Sequence, residues 1–110
     1  MKRPLLLLLL MVSLGTPAWA LDAGQQAVAK MGELNGVALA CRWFEEVRRI
    51  KRALIDNLPK QRELGEIFED RTNQSFQGFV GSGQPCPSPA GFSAELDQAI
   101  ETLEEAFDVH

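Results

Sequence analysis

The sequence predicts an all-α fold, a small helical bundle of three to four helices with one disulfide. Three observations predict it. Apolar residues recur at spacings of three and four along most of the chain, no segment shows the alternation of a β-strand, and only two cysteines are present. The chain has 110 residues, 45% of them hydrophobic and 24% charged, which is ordinary for one small globular domain. These values argue against a disordered chain and against a multi-domain enzyme.

The N-terminal segment has the pattern of a cleaved signal peptide. Lys2 and Arg3 precede an apolar run that is too short to span a bilayer, and Ala18 and Ala20 form a small-residue cleavage site. Cleavage after Ala20 leaves a single helical domain, residues 21–110, with 9 basic and 15 acidic residues and a net charge of −6. We therefore expect a periplasmic or secreted protein without a transmembrane segment. A retained N-terminal anchor is the alternative.

The two cysteines, Cys41 and Cys86, predict a structural disulfide, because an exported chain folds in an oxidising compartment. Their pairing closes a loop worth roughly 4 kcal/mol in the chain-entropy model. That is comparable to the whole stability expected of so small a core. No Cys-x-x-Cys motif indicates a redox-active pair. Intermolecular pairing is the alternative.

The first helix is predicted to begin at a capping box. Asp22 and Gln25 have the spacing of that motif, with Asp in place of the usual Ser or Thr. Apolar residues at helical spacing then continue to Leu34. Asn35 and Gly36 form a pair typical of a break, so we expect the helix to end there, although a weakened helix that continues is possible.

The second helix has the strongest helical pattern of the chain and is predicted to run from Val37 to Asn57. Pro59 ends it, because the residue before a proline is displaced from helical geometry. Residues three or four apart make a core-facing stripe, and three more widen it. The stripe consists of Ala40, Trp43, Val47, Ile50, Leu54 and Leu58, widened by Val37, Phe44 and Ile55.

The second half of the chain predicts a looser helix and then a regular one. Gly65 and Gly78 weaken the third helix, and residues 72–75 indicate a kink or a break within it. Residues 81–91 are rich in glycine and proline and predict a loop. Ser93 is the expected cap of the last helix, whose apolar stripe is Leu96, Ile100, Leu103 and Phe107.

The sequence offers no chemistry that predicts an enzyme. The only histidine is His110, and a nucleophile system built on the last residue is a poor prospect. No His and Cys cluster suits zinc or haem, and Gly81-Ser82-Gly83 lacks the rest of a phosphate-binding loop. We therefore predict no catalytic residue, no cofactor and no metal site.

Two groups of residues are candidate contacts for a binding partner. Arg48, Arg49 and Arg52 form a basic run that suits an acidic protein or an anionic surface, whereas nucleic acid is not expected of an exported protein. Phe76 and Phe79 fit their helix poorly and suit an exposed apolar patch. The alternative for the arginines is neutralisation by the last helix, because residues 93–110 hold six acidic residues and neither lysine nor arginine.

This layout resembles the plan of the HdeA-type acid-stress chaperones of the bacterial periplasm, and small exported immunity proteins share much of that plan. The resemblance lies in the architecture alone, so it assigns no residues. The leading expectation is a non-catalytic periplasmic protein that binds a protein or an envelope component. The alternative is a chaperone that acts in acid, where protonation of 15 carboxylates would leave nine cations and promote expansion.

Overall fold

A computed structural model describes residues 21–108, which form four helices and no strand. The helices are α1 (Ala23–Ala40), α2 (Phe44–Asn57), α3 (Arg62–Ser82) and α4 (Pro89–Ala106). The prediction of a small all-α bundle is therefore confirmed. The predicted signal peptide, Met1 to Ala20, and the histidine at position 110 lie outside the described residues.

The central helix is α1, which contacts each of the other three helices. It runs antiparallel to α4, because Lys30 pairs with Glu95 while Gly24, earlier in α1, lies against Phe107 near the end of α4. α2 and α4 also contact each other, whereas α3 packs on α1 alone. The molecule is thus a three-helix core of α1, α2 and α4 with α3 on the outside of α1.

Large apolar side chains fill the space between α1, α2 and α4. At one end of this core, the rings of Trp43 and Phe92 meet edge to face with their centroids 5.2 Å apart. The N-terminus of α1 begins with the predicted capping box of Asp22 and Gln25, which is confirmed. The largest fully buried side chains are Val28, Met31, Ile50, Leu96 and Leu103.

The prediction of one helix from Val37 to Asn57 is wrong, because α1 ends at Ala40 and α2 begins at Phe44. The backbone N–H of Trp43 donates to the carbonyl oxygen of Ala38 at 2.8 Å. A second backbone hydrogen bond closes a smaller turn within the same segment. This pattern is a Schellman motif, which ends a helix by turning one residue into the left-handed conformation. Glycine usually occupies that position, but here the residue is an arginine. The residue type therefore gives no indication that the helix ends there.

Arg42 is the residue in the left-handed conformation, with a φ of 63°. Its backbone N–H donates to the carbonyl oxygen of Leu39 at 3.1 Å, the inner hydrogen bond of the motif. The neighbouring Cys41 is bonded to Cys86, with sulfur atoms 2.04 Å and Cα atoms 6.0 Å apart. The predicted pairing is confirmed, and it joins the α1–α2 corner to the loop between α3 and α4.

The predicted break at Asn35 and Gly36 is also wrong, and the reason lies in the contact between α1 and α3. A Cβ atom built on Gly36 would lie 2.6 Å from the Cβ atom of Ser75. One built on Gly32 would lie 2.8 Å from the carbonyl oxygen of Phe68. Both glycines are therefore needed for the close approach of two helices, and neither ends α1.

The two helices of this contact run parallel, and polar atoms hold them together. Asn35 donates to the hydroxyl of Thr72 at 3.3 Å, and the hydroxyl of Ser75 donates to the carbonyl oxygen of Glu33 at 2.6 Å. The expected kink at residues 72–75 is absent from α3, because their hydroxyl groups face α1 instead of competing with the helix. We refer to this contact, centred on Gly32, Gly36, Thr72 and Ser75, as the α1–α3 seam.

The last helix begins earlier than the sequence suggests, at Pro89. Ser88 is its N-cap, and the Ser88 hydroxyl accepts a hydrogen bond from the backbone N–H of Gly91 at 3.0 Å. Proline fits the first helical position because its missing N–H has no partner there in any case. The loop predicted for residues 81–91 is therefore shorter, and Ser93 lies inside α4 rather than at its cap.

Candidate functional site

The three arginines predicted to contact a partner do not share one surface. Arg48 and Arg52 are exposed on the side of α2 that faces away from the core. Arg49 points to α4, where it pairs with Asp97 and lies 3.3 Å from Glu46. Neutralisation by the acidic last helix, the alternative considered for this basic run, is therefore seen for Arg49.

The exposed face of α2 combines basic and apolar side chains. With 3.6 residues in each helical turn, Phe44, Arg48, Lys51 and Ile55 fall within an arc of about 60°. Phe44 is 50% exposed and Ile55 is 77% exposed, although both are large and apolar. Arg52 lies at the edge of this arc. We refer to these five residues as the outer face of α2.

The charges of this face are only partly neutralised. Arg48 pairs with Glu45, one helical turn earlier, and both side chains remain well exposed. Neither Lys51 nor Arg52 makes an ion pair within residues 21–108. An exposed ion pair contributes about 0–1 kcal/mol, so little free energy holds Arg48 to its own helix. The face can therefore offer three cations to an anionic partner.

Phe44 and Ile55 were expected to widen the core, and the structure places them outside it. The side of α2 that packs on the bundle carries Val47 and Ile50 instead, both buried. The signal for the outer face was present in the sequence as a second series, at positions 44, 48, 51 and 55, on a different side of the helix from the buried one. Treating residues 37–57 as one wide stripe merged the two series.

The two predicted aromatic contacts differ in their surroundings. Phe76 is 38% exposed on α3, one turn before Val80, which is 57% exposed. Phe79 is half-buried and lines a groove of about 250 Å³, together with Val37, Phe92 and residues of the loop before α4. Phe76 is thus available at the surface, while Phe79 forms part of the wall between helices.

An ion-pair cluster lies beside this groove, on the opposite side of the bundle core from α2. The Lys30 ammonium group lies 2.8 Å from a carboxylate oxygen of Glu95 and 3.7 Å from one of Glu33. The hydrogen bond to Glu95 raises the pKa of Lys30 above its usual 10.5, and partial burial opposes this effect. The cluster neutralises its own charges, so it offers a partner less than the outer face of α2.

Two features, a metal-binding cluster and a membrane-spanning helix, are absent from the described residues. Between residues 21 and 108, no three His, Cys, Asp or Glu side chains are grouped so that they could hold a metal ion. No helix in that range is both long enough and apolar enough to cross a membrane.

The chain matches no family model, and neither a curated protein nor a solved structure is significantly similar to it. The surfaces described above are therefore the basis on which a function is proposed.

Proposed function

We propose that this is an exported, non-catalytic helical protein that binds an anionic component of the cell envelope or an acidic protein there. The observation that carries the proposal is the outer face of α2. Phe44 and Ile55 are exposed at its two ends, and Arg48, Lys51 and Arg52 lie between them. Large apolar side chains held in solvent beside unpaired cations cost solubility without contributing to the core, which indicates a surface used for binding.

Export is supported by two features of different kinds. The N-terminal segment has the charge, apolar run and small residues of a signal peptide. The disulfide between Cys41 and Cys86 is the sort of bond that forms and persists in an oxidising compartment. A bundle of this size also gains a large share of its stability from such a bond, so export and fold are consistent with each other.

Site-specific photo-crosslinking in living cells tests this proposal. A photoreactive amino acid replaces Ile55 in one variant and Glu66, an exposed residue of α3, in a control variant. We expect a discrete adduct from position 55 and none from position 66, in the periplasmic or membrane fraction. The N-terminus of the recovered protein is sequenced in the same experiment and should be Leu21.

Two results would contradict the proposal. One is recovery of the uncleaved chain from the cytoplasm, which would remove the export step. The other is an identical adduct pattern from positions 55 and 66, because the outer face of α2 would then have no special role. Loss of the adduct when Lys51 and Arg52 are both changed to Gln would tie the contact to charge.

A further inference from the structure

The geometry of the outer face of α2 is that of a narrow ridge. Phe44 and Ile55 are eleven residues apart on one side of a straight helix, which separates them by about 16 Å. Arg48 and Lys51 lie between them on the same line, and the buried residues Ile50 and Ala53 lie on the far side of the helix. A surface of this shape meets a flat partner along one line of side chains.

Two of the three acidic residues of α2 lie to one flank of that ridge. Around the helix axis, Glu45 and Asp56 are displaced toward Arg49, which marks the side where α4 packs. Phe44 and Lys51 lie on the edge of the ridge that is farthest from Arg49. A rotation of the protein that brings the line from Phe44 to Ile55 onto a flat surface therefore leaves Asp56 to the side, and Glu45 stays in its ion pair with Arg48.

We propose that this ridge rests on the surface of an anionic phospholipid bilayer. Phe44 and Ile55 enter the boundary between headgroups and acyl chains, and Arg48, Lys51 and Arg52 contact the phosphates above them. Long basic side chains suit this arrangement because their aliphatic stems lie along apolar surface while their charged ends stay at the headgroup level. The inference rests on the proposed function and names the anionic component as lipid.

A bilayer fits this face better than a folded protein does. A stable protein interface covers about 800 Å² on each partner and centres on side chains that fill pockets. A ridge of two apolar and three basic residues provides a line rather than a patch of that size. A lipid surface adapts to such a ridge and needs no matching pocket. After the predicted cleavage the chain carries a net charge of −6, so an anionic bilayer repels most of the molecule and attracts this basic face, which orients it toward the lipid.

Vesicle co-sedimentation tests the inference directly. The protein is purified as its host processes it, with the disulfide formed, and is mixed with vesicles of phosphatidylglycerol and phosphatidylethanolamine or with vesicles of phosphatidylcholine alone. We expect binding to the first and little to the second, with binding weakened by added salt.

Matched variants assign the binding to the ridge. Replacing Lys51 and Arg52 by Gln should weaken partitioning about 25-fold, since each basic residue near an anionic surface contributes about a factor of five. The control replaces Lys60 and Arg62 by Gln, which removes the same charge from the exposed start of α3 and should change binding much less.

The apolar contribution has its own pair of variants. Phe44→Ser with Ile55→Ser should weaken partitioning about tenfold, because two apolar side chains no longer enter the interface. Phe76→Ser with Val80→Ser is the control, at residues that are also exposed but lie on α3. Circular dichroism and the urea midpoint show that each variant is folded before its binding is compared.

Three results would overturn the inference. They are equal binding to both kinds of vesicle, equal losses in a variant and its control, and no binding to anionic vesicles. The last result together with a protein adduct from position 55 would retain the proposed function and replace the lipid by an acidic protein. Failure of export or of specific crosslinking would instead remove the proposed function itself.

Discussion

Two sides of α1 pack against the neighbouring helices in different ways. Toward α4 it contributes Ala27 and Met31, which are buried among other apolar side chains. Toward α3 it contributes Gly32 and Gly36, which have no side chain at all. The contact between α1 and α3 forms because the backbones of the two helices lie close together.

An outer helix can therefore be held in place with little burial of apolar surface. Leu64 and Thr72 are the buried residues of α3, although it is the longest helix. The α1–α3 seam depends on shape and on the buried hydrogen bond between Asn35 and Thr72, whereas the core of α1, α2 and α4 depends on the area of apolar surface removed from water. Substitutions in the two regions should therefore fail for different reasons and by different amounts.

The largest effect is expected from the bond that ties the two regions together. Changing Cys41 and Cys86 to Ser should lower the free energy of unfolding by about 4 kcal/mol, because the unfolded chain regains the entropy of a loop with a sequence separation of 45. Urea unfolding of the oxidised and variant proteins measures the difference. A change below about 1 kcal/mol would contradict stabilisation by closure of this loop.

A core truncation should come next. Leu96→Ala removes a completely buried side chain from α4 and should cost about 3 kcal/mol, through lost apolar transfer and the cavity that remains. Ile55→Ala is the matched control, because Ile55 is 77% exposed. Equal losses at the two positions would contradict the assignment of the core, and the urea midpoint at constant slope provides the comparison.

The α1–α3 seam should be destabilised by adding atoms between its two helices. Gly36→Ala places a Cβ atom 2.6 Å from that of Ser75 and 2.7 Å from the backbone nitrogen of Phe76, so the backbones must separate, at a cost of about 2 kcal/mol. The same change at Gly78 meets nothing within 4 Å and should stabilise α3 by about 0.5–1 kcal/mol. Effects of opposite sign confirm the seam, and stabilisation by Gly36→Ala would refute it.

The buried pair of Asn35 and Thr72 provides a second test of the α1–α3 seam. Thr72→Val removes the hydroxyl that accepts a hydrogen bond from the side chain of Asn35. Asn35 is only 2% exposed, and its side-chain oxygen Oδ1 already has no hydrogen-bond partner among the described residues. The loss should be about 1–2 kcal/mol, the cost of an unsatisfied buried amide. Thr102→Val, at an exposed position of α4, should be nearly neutral. Thermal unfolding of both variants decides whether the hydrogen bond contributes.

The smallest effect concerns the ion pair beside the core. The pKa of Lys30 is raised in the folded protein, so its contribution to stability is fully present below pH 10.5 and is lost as the pH rises beyond the raised value. Because the group is well exposed, we expect less than about 1 kcal/mol. Urea unfolding on both sides of pH 10.5 should show a smaller alkaline loss for Lys30→Met than for Lys51→Met. Identical alkaline losses of stability in the two variants would exclude a contribution of the Lys30 ion pair.

Local signals in the sequence were sufficient for much of the fold. The periodic apolar residues predicted helices throughout, and the capping box at Asp22 was correct because all its atoms come from four consecutive residues. The pairing of Cys41 with Cys86 followed from their being the only two cysteines. Each of these inferences needed only neighbouring residues or simple counting.

The errors arose where distant residues decide the local structure. Gly36 has the composition of a helix break, but Ser75, which lies far along the chain, makes it a contact point inside a helix. Arg42 ends α1 in a conformation for which no residue type in the sequence gives a signal. The candidate contacts were limited in the same way, since the exposure of Phe44 and Ile55 depends on where α2 begins.

The central position of α1 has a consequence for the order in which the molecule can assemble. α1 is synthesised before its partners, and the apolar residues Leu96 and Leu103 that cover it come from the last helix. A partial chain cannot complete this core, so we expect the protein to fold only when nearly all of it has been made. Only an unfolded chain passes through a narrow translocation channel, and late folding would keep this protein fit for the export that we propose.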